Sequence, residues 1–247
     1  MGAVVAVVSG KGGTGKTSLT GGVAACLAAM GRRVLCVDAD VGLRNLDIAL
    51  GLSDRVGMDC SDVLQGRCAL SDALVAHPKI EGLFLLAAPQ TRNPKQEILR
   101  GLDALVLEAK EQFDDVLIDC PAGLGPGFRA AAGCADRAVV VTTIDPASLR
   151  DAQQAISVLG EMGVSLRHLV VNRVQPRVLR RMKTNLDDIM DAVSLPLLGV
   201  VPEDERVVLA AGGGVPLVLF GKSKAAVAFL HIAQRLTGAR VPLMRIR

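Results

Sequence analysis

Apolar residues fall along this chain in two rhythms. Short runs lie at 4–8, 34–37, 83–87, 116–119, 138–142, 169–172 and 197–201. Between them lie helical patterns, clearest over 148–162 and 224–236; apolar positions also recur at helical spacing over 97–112, and 18–30 is a helix-like run. In 97–112 the stripe is Ile98, Leu102, Leu105, Val106 and Ala109. A nearly unbroken aliphatic run suits a strand covered on both faces, as in a parallel sheet. The alternation predicts an α/β fold in three layers: a mostly parallel twisted sheet flanked by helices, joined by right-handed crossovers. No composition shift, repeat or low-complexity linker divides the chain, so one domain is expected over 1–247, with a short tail at 239–247.

Half of the 247 residues are hydrophobic, enough for a sizeable core. With five Phe and no Tyr or Trp, that core must be built from Val, Leu, Ile and Ala. The formal charge of +3 is too small to argue for nucleic acid, which is not expected as a partner. Six cysteines, at 26, 36, 60, 68, 120 and 134, form no C-x-x-C and no zinc-finger spacing with His. They read as reduced, mostly buried thiols in a cytoplasmic protein. The opening apolar run lacks a basic lead-in and is too short for a signal peptide. Met1-Gly2 is followed by Ala6 where a myristoylation site needs Ser or Thr. No stretch approaches the ~20 apolar residues of a membrane span.

The chemistry begins at residues 9–18, Ser-Gly-Lys-Gly-Gly-Thr-Gly-Lys-Thr-Ser, between the first run and the first helix. Gly10, Gly15, Lys16 and Thr17 fill G-x-x-x-x-G-K-[ST] in the strand–turn–helix setting where that pattern means a phosphate cradle. Gly12, Gly13 and Thr14 complete the turn, and Ser18 follows it into the helix. Glycines let several backbone N–H groups point at one anion, and the helix adds its free N–H groups and positive dipole end. Lys16 supplies a point charge to the β- and γ-phosphates, and the Thr17 hydroxyl suits Mg²⁺. A second lysine, Lys11, stands where an ordinary P-loop tolerates any residue.

In open α/β sheets ligands bind at the carboxyl ends of the strands. Those ends carry the P-loop, Asp38, Asp40, Asp119, Asn172, and Pro202, Glu203 and Asp204. Asp119, closing an apolar run, matches the carboxylate that holds Mg²⁺ in P-loop NTPases. Asp40 is placed to orient a water at the γ-phosphate, and Asp38 to steer a magnesium-bound water. Each also has a plainer reading, as a helix cap or a solvated turn. Asn172 can read a purine edge, but Asn at a strand end is also an ordinary turn residue.

The residues 9–17 resemble the deviant Walker A motif of the MinD/ParA ATPases. Residues 38–47, Asp-Ala-Asp-Val-Gly-Leu-Arg-Asn-Leu-Asp, resemble the switch I segment of the MinD type. Residues 88–92 (Ala-Pro-Gln-Thr-Arg), 119–123 (Asp-Cys-Pro-Ala-Gly) and 199–204 (Gly-Val-Val-Pro-Glu-Asp) are similar to further segments of that type, in the same order. The likeness runs from residue 3 to about 236.

The resemblance implies an ATP-hydrolysing spatial switch in bacterial division-site selection, with ATP and Mg²⁺ as cofactors. It implies an ATP-dependent homodimer in which Lys11 crosses to the partner's phosphates, a charge supplied in trans like an arginine finger. Lys11, Lys16 and Asp40 would be catalytic; Thr17 and Asp119, with Asp38, would serve the metal. Asn172 and the backbone at Pro202, Glu203 and Asp204 would hold adenine. Ser148 and Asp151 fall where such proteins meet a MinC-like division inhibitor and a MinE-like ATPase stimulator. A plain helix start capped by Ser148 or Asp145 is equally open there. The family also implies a peripheral site on the inner face of the cell membrane, through a basic amphipathic helix at the chain's end. Here Leu-Met-Arg-Ile-Arg follows Pro242, too few residues to hold a helix alone.

Two other readings use the same module. A ParA-type or flagellar-number ATPase would position DNA or other cargo; DNA needs a basic surface, and Arg177, Arg180, Arg181 and Lys183 form one basic cluster, whose plainer and favoured reading is a solvated face. A metabolic enzyme such as an iron–sulfur reductase would need paired surface cysteines. Cys120 and Cys134 are the candidates, and their apolar and Ala-rich surroundings favour burial.

Overall fold

The structure, a computed structural model, describes residues 2–90 and 95–244; the side chains of 95–99 also lie outside the description. Thr91 and Arg92 of the family-like segment and Arg245, Ile246 and Arg247 of the tail therefore fall outside the described residues, as does the side chain of Ile98 in the apolar stripe.

Eight strands form one sheet: β1 (Ala3–Val8), β2 (Val34–Asp38), β3 (Val75–Ala76), β4 (Leu83–Leu86), β5 (Asp115–Asp119), β6 (Arg137–Thr142), β7 (Leu166–Val174) and β8 (Leu197–Pro202). Their order is β3-β4-β2-β5-β1-β6-β7-β8, parallel throughout except that β3 runs antiparallel to β4. The helices are α1 (Lys16–Ala29), α2 (Leu46–Leu50), α3 (Cys60–Leu64), α4 (Leu70–Ala73), α5 (Lys95–Gln112), α6 (Pro126–Gly133), α7 (Pro146–Glu161), α8 (Pro176–Met182), α9 (Leu186–Val193), α10 (Arg206–Gly212) and α11 (Lys224–Leu236).

The expected layers are present, because every strand that reads as an aliphatic run is buried on both faces. Along β1, Val4, Ala6 and Val8 face one core with α5, α6, α7 and α9. Val5 and Val7 face the other, with α1, α2, α10 and α11. Side chains alternate across a strand, so one run of small aliphatics serves both layers. In the second core α1 lies directly on α11. A Cβ at Gly22 would come within 2.2 Å of the Phe229 ring, so only glycine admits that ring. Met244 packs back against this core, and Leu243 beside it is 39% exposed.

Three differences from the sequence expectation have physical causes. The sheet has an eighth strand, β3, only two residues long and without an alternation to read. It forms because residues 77–82 turn the chain back, with His77 Nδ1 accepting the Lys79 and Ile80 N–H groups at 3.1 and 3.0 Å. β7 begins at Leu166 rather than 169, because Leu166 is exposed and the next two residues, Arg167 and His168, are polar and only partly covered. α1 starts at Lys16 and α7 at Pro146, each two residues earlier than expected. A left-handed Gly15 ends the loop ahead of the first, and Asp145 caps the second.

Candidate functional site

β1 lies between β5 and β6, so the loop after it opens at the centre of the sheet's carboxyl edge. Gly13 and Gly15 have φ of 80° and 90°, the left-handed turn that directs successive N–H groups inward. Gly15 is the N-cap of α1 and offers no side-chain acceptor, which leaves the first N–H groups of the helix for a ligand. A Cβ at Gly15 would lie 2.2 Å from Asn172 Nδ2, a second reason for glycine there. Lys16 is buried and forms no ion pair among the described residues. Thr14 Oγ1 is buried with no hydrogen bond. An inward amide nest, a buried lysine and an unspent hydroxyl fit the phosphates of a nucleotide.

The carboxylates gather beside this loop. Thr17 Oγ1 donates to Asp119 Oδ2 at 2.6 Å, and Thr20 Oγ1 lies 3.5 Å from Oδ1. Asp38 and Asp119 are register partners on β2 and β5. Burial pushes the Asp38 carboxyl up to about 7, with the Asp119 charge adding to it. Burial pushes Asp119 up to about 6, against the Thr17 hydroxyl and the Lys16 charge, which lower it. Two buried carboxyls short of positive charge are what a divalent cation compensates. No group of three His, Cys, Asp or Glu among the described residues could hold a metal alone. Mg²⁺ takes one or two protein ligands and completes its shell with phosphate and water, a demand that the Thr17 hydroxyl and Asp119 carboxylate fit.

Asp38 is committed to the backbone: Oδ1 accepts from Asp40 N–H at 2.9 Å and Oδ2 from Leu46 N–H at 3.2 Å. It thereby shapes the 39–45 turn that carries Asp40. Asp40 is half-buried and lines a cavity of about 390 Å³ with Leu43, Leu102, Pro121 and Phe128.

Lys11 turns sideways within its own chain. Its Nζ lies 2.9 Å from Asp145 Oδ1, the acceptor that also caps Ser148 N–H at 3.0 Å. Burial would raise the Asp145 carboxyl, but bonds from Thr143, Lys11 and Ser148 bring it down to about 2. Ser148 is 2% exposed and its Oγ faces Thr143 N–H, so the start of α7 has the plain capped form. Asp151 is half-buried; a Cβ at Gly10 would lie 2.2 Å from its carbonyl oxygen, so the P-loop rests on α7.

Asn172 lies against the P-loop from the other side. Its Nδ2 donates to Thr14 carbonyl at 2.8 Å, and Oδ1 accepts from Arg173 N–H at 2.9 Å. Arg173 is the residue that sequence reasoning missed. It takes a left-handed φ of 56°, pairs with Glu203 at 3.1 Å and reaches Gly13 carbonyl at 3.4 Å. The basic residue following Asn172 at a strand end was its only signal. Asp204 caps forward, accepting from Ser223 Oγ at 2.7 Å and Arg206 N–H at 3.0 Å.

All six cysteines are free. Cys120 is fully buried, and burial holds its thiol far above the usual range; Cys134 is pushed up to about 11. Neither is a surface thiolate of the kind a cluster needs. Among the described residues no helix is long and apolar enough to cross a membrane.

Comparison with known proteins agrees with this geometry. The family model of the CobQ/CobB/MinD/ParA nucleotide binding domain matches residues 5–217. The septum site-determining protein MinD of Synechocystis is 38% identical over 246 residues, 99% of this chain and 92% of that protein. The MinC:MinD cell division protein complex of Aquifex aeolicus contains a chain with TM-score 0.90 and 36% identity, covering 98% of each. MinD of Pyrococcus horikoshii, solved with Mg-ADP, gives 0.87 and 33%, covering 96% of each. The chain belongs to the MinD/ParA nucleotide-binding family, and within it to the septum site-determining MinD proteins.

Proposed function

We propose that this chain is an Mg²⁺-dependent ATPase that dimerises on ATP and acts as a spatial switch in division-site selection. The observation that carries this reading is the 2.6 Å bond from Thr17 to Asp119 at the foot of the amide nest. It sets together a hydroxyl and a carboxylate of the kind that would hold Mg²⁺ beside bound phosphate. In the proposed site the N–H groups of residues 12–18 and the Lys16 ammonium bind phosphate oxygens. Thr17 and Asp119 would hold Mg²⁺, which neutralises phosphate charge when bound. Asp38 fixes the turn that carries Asp40, and Asp40 orients the attacking water. Asn172, braced on Thr14, and the backbone at Pro202, Glu203 and Asp204 border the adenine.

Lys11 is proposed to leave Asp145 and reach the phosphates of a second copy. Its departure frees the N-cap of α7 beside Asp151, the face offered to a MinC-like inhibitor and a MinE-like stimulator. The MinC:MinD complex of the Aquifex relative supports the first of these partners. The chain would act as one ATPase unit over 1–247, cytoplasmic and peripheral at the inner face of the membrane.

Asp40 gives the test. Asp40→Ala should still bind Mg-ATP with near wild-type affinity while hydrolysis falls by about 10²-fold or more, the scale of a lost water-orienting group. Equal hydrolysis in Asp40→Ala, followed by phosphate release, overturns the assignment.

A further inference from the structure

The core between the sheet and α11 is bordered by two arginines and a histidine that the nucleotide end does not use. Arg137 opens β6, His168 lies on β7, and Arg235 is in the last turn of α11. His168 is the register partner of Val139, so Arg137, two residues earlier on the same strand face, lies diagonally across from it. Val5, which pairs with Arg137, and Val139 both belong to the core under α1 and α11, so these side chains point to α11. The helix meets them. Arg137 Nη1 donates to Leu236 carbonyl at 3.0 Å. Arg235, next to Leu236, donates Nη1 to Leu198 carbonyl at 3.0 Å. Burial holds the His168 imidazole below its usual range, and the charges of Arg137 and Arg235 lower it further.

None of the three forms an ion pair among the described residues. Arg137 Nε and His168 Nδ1 are buried without a hydrogen bond; so is Nδ1 of His231, one turn before Arg235. Folded proteins leave few buried polar atoms unpaired, and here three such atoms lie close together. With Nη1 of Arg137 spent on Leu236, its Nε–H and outer Nη2 edge remains, the two-point fork that grips an oxyanion. All three residues are half-buried, so solvent reaches their outer atoms while Arg137 Nε and His168 Nδ1 themselves are covered.

We propose that Arg137, His168 and Arg235 form a binding site for a phosphate-type oxyanion at the sheet edge opposite the P-loop. The six residues of β6 separate Arg137 from Thr142 by roughly 16 Å at strand rise, so this site is distinct from the nucleotide cradle. A bound anion neutralises the cluster and ties the end of α11, from which residues 239–244 depart, to β6 and β7. The chemistry is the same for a soluble phosphate and for the headgroup of an anionic lipid. The proposal does not rest on the ATPase reading.

The chain has three histidines, 77, 168 and 231, so proton NMR resolves each imidazole, with His168→Gln assigning the signal of interest. Inorganic phosphate is titrated at constant ionic strength in the presence of saturating Mg-ADP. The His168 signal should shift saturably with a millimolar midpoint while His77 stays in place. Arg137→Gln and Arg235→Gln should each raise that midpoint about tenfold or more, the effect of one lost charge-assisted contact. No saturable shift in the wild type, or an unchanged midpoint in both variants, overturns the site. A vesicle arm separates the sources. Phosphate-sensitive sedimentation with phosphatidylglycerol but not phosphatidylcholine, weakened by Arg137→Gln, assigns the lipid headgroup. A saturable NMR shift without vesicle binding assigns a soluble phosphate.

Discussion

Asp119 lies beside the hydroxyls of Thr17 and Thr20, and both it and its strand neighbour Asp38 are buried. Their carboxyls rise to about 6 and about 7, above the range of an unfolded chain. Groups shifted upward hold protons more tightly when folded. Their contribution to stability is present below the ordinary carboxylate range and is lost as pH rises through about 6 to 7. At neutral pH these carboxylates therefore destabilise the nucleotide-free protein, a cost that the proposed metal site would offset. Asp119→Asn keeps both hydroxyl partners, Thr17 donating to its oxygen and Thr20, which donates to the Lys16 carbonyl, accepting from its amide, and removes the charge. It should be more stable than wild type at about pH 8, by about 1–3 kcal/mol in denaturant melts, with a flatter pH dependence. It should also fail to hydrolyse ATP. A variant less stable than wild type at that pH would contradict the account. The Lys11–Asp145 pair illustrates the opposite case. Its side chains are 37% and 46% exposed, and such pairs contribute only about 0–1 kcal/mol. The ion pair is weak enough to be exchanged for a phosphate on a second copy.

The elements explain what the hydrophobic pattern could and could not convey. Long buried runs such as Val34 to Val37 read directly, because parallel strands covered on both faces leave no polar phase. The region of α2, α3 and α4 carried no readable period, since helices of four or five residues span barely one turn. β3 was hidden for the same reason. Helix starts were misplaced by two residues where a cap or a left-handed glycine, not the apolar period, sets the boundary. At α1 the apolar pattern nearly vanishes, because the helix is buried on almost every side, and small residues carry the packing. Gly22 is the sharpest case. Alanine is worth up to about 1 kcal/mol more helix propensity there, but its Cβ would lie 2.2 Å from Phe229. Overpacking costs of about 1–3 kcal/mol should dominate. Gly22→Ala is expected to lower the thermal midpoint, and the double variant Gly22→Ala/Phe229→Leu to recover much of the loss; a neutral Gly22→Ala would show that the two helices can part without cost.

At the scale of the molecule, strand order decides which residues meet. With β1 between β5 and β6, the P-loop comes beside Asp119 on one side and the Thr143 to Asp145 turn on the other. The sequence motif named the phosphate cradle, and the strand-end carboxylates could be placed near it. That Lys11 would rest on Asp145, that Asp38 would hold the Asp40 turn, and that Arg173 would bridge the P-loop to Glu203 were not legible. Each depends on a loop's path across neighbouring strands, which no local pattern encodes. The consequence is a nucleotide loop pressed against the start of α7, and the proposed coupling of nucleotide state to assembly runs through the lysine that joins them.

The most direct test of that coupling is the solution mass of Lys11→Ala beside wild type, by light scattering with Mg-ATP, Mg-ADP and no nucleotide. Wild type should approach twice its 25.8 kDa chain mass with Mg-ATP and stay near one chain mass otherwise. Lys11→Ala should bind the nucleotide and remain at one chain mass. A Lys11→Ala protein that dimerises with Mg-ATP as wild type does would contradict the account.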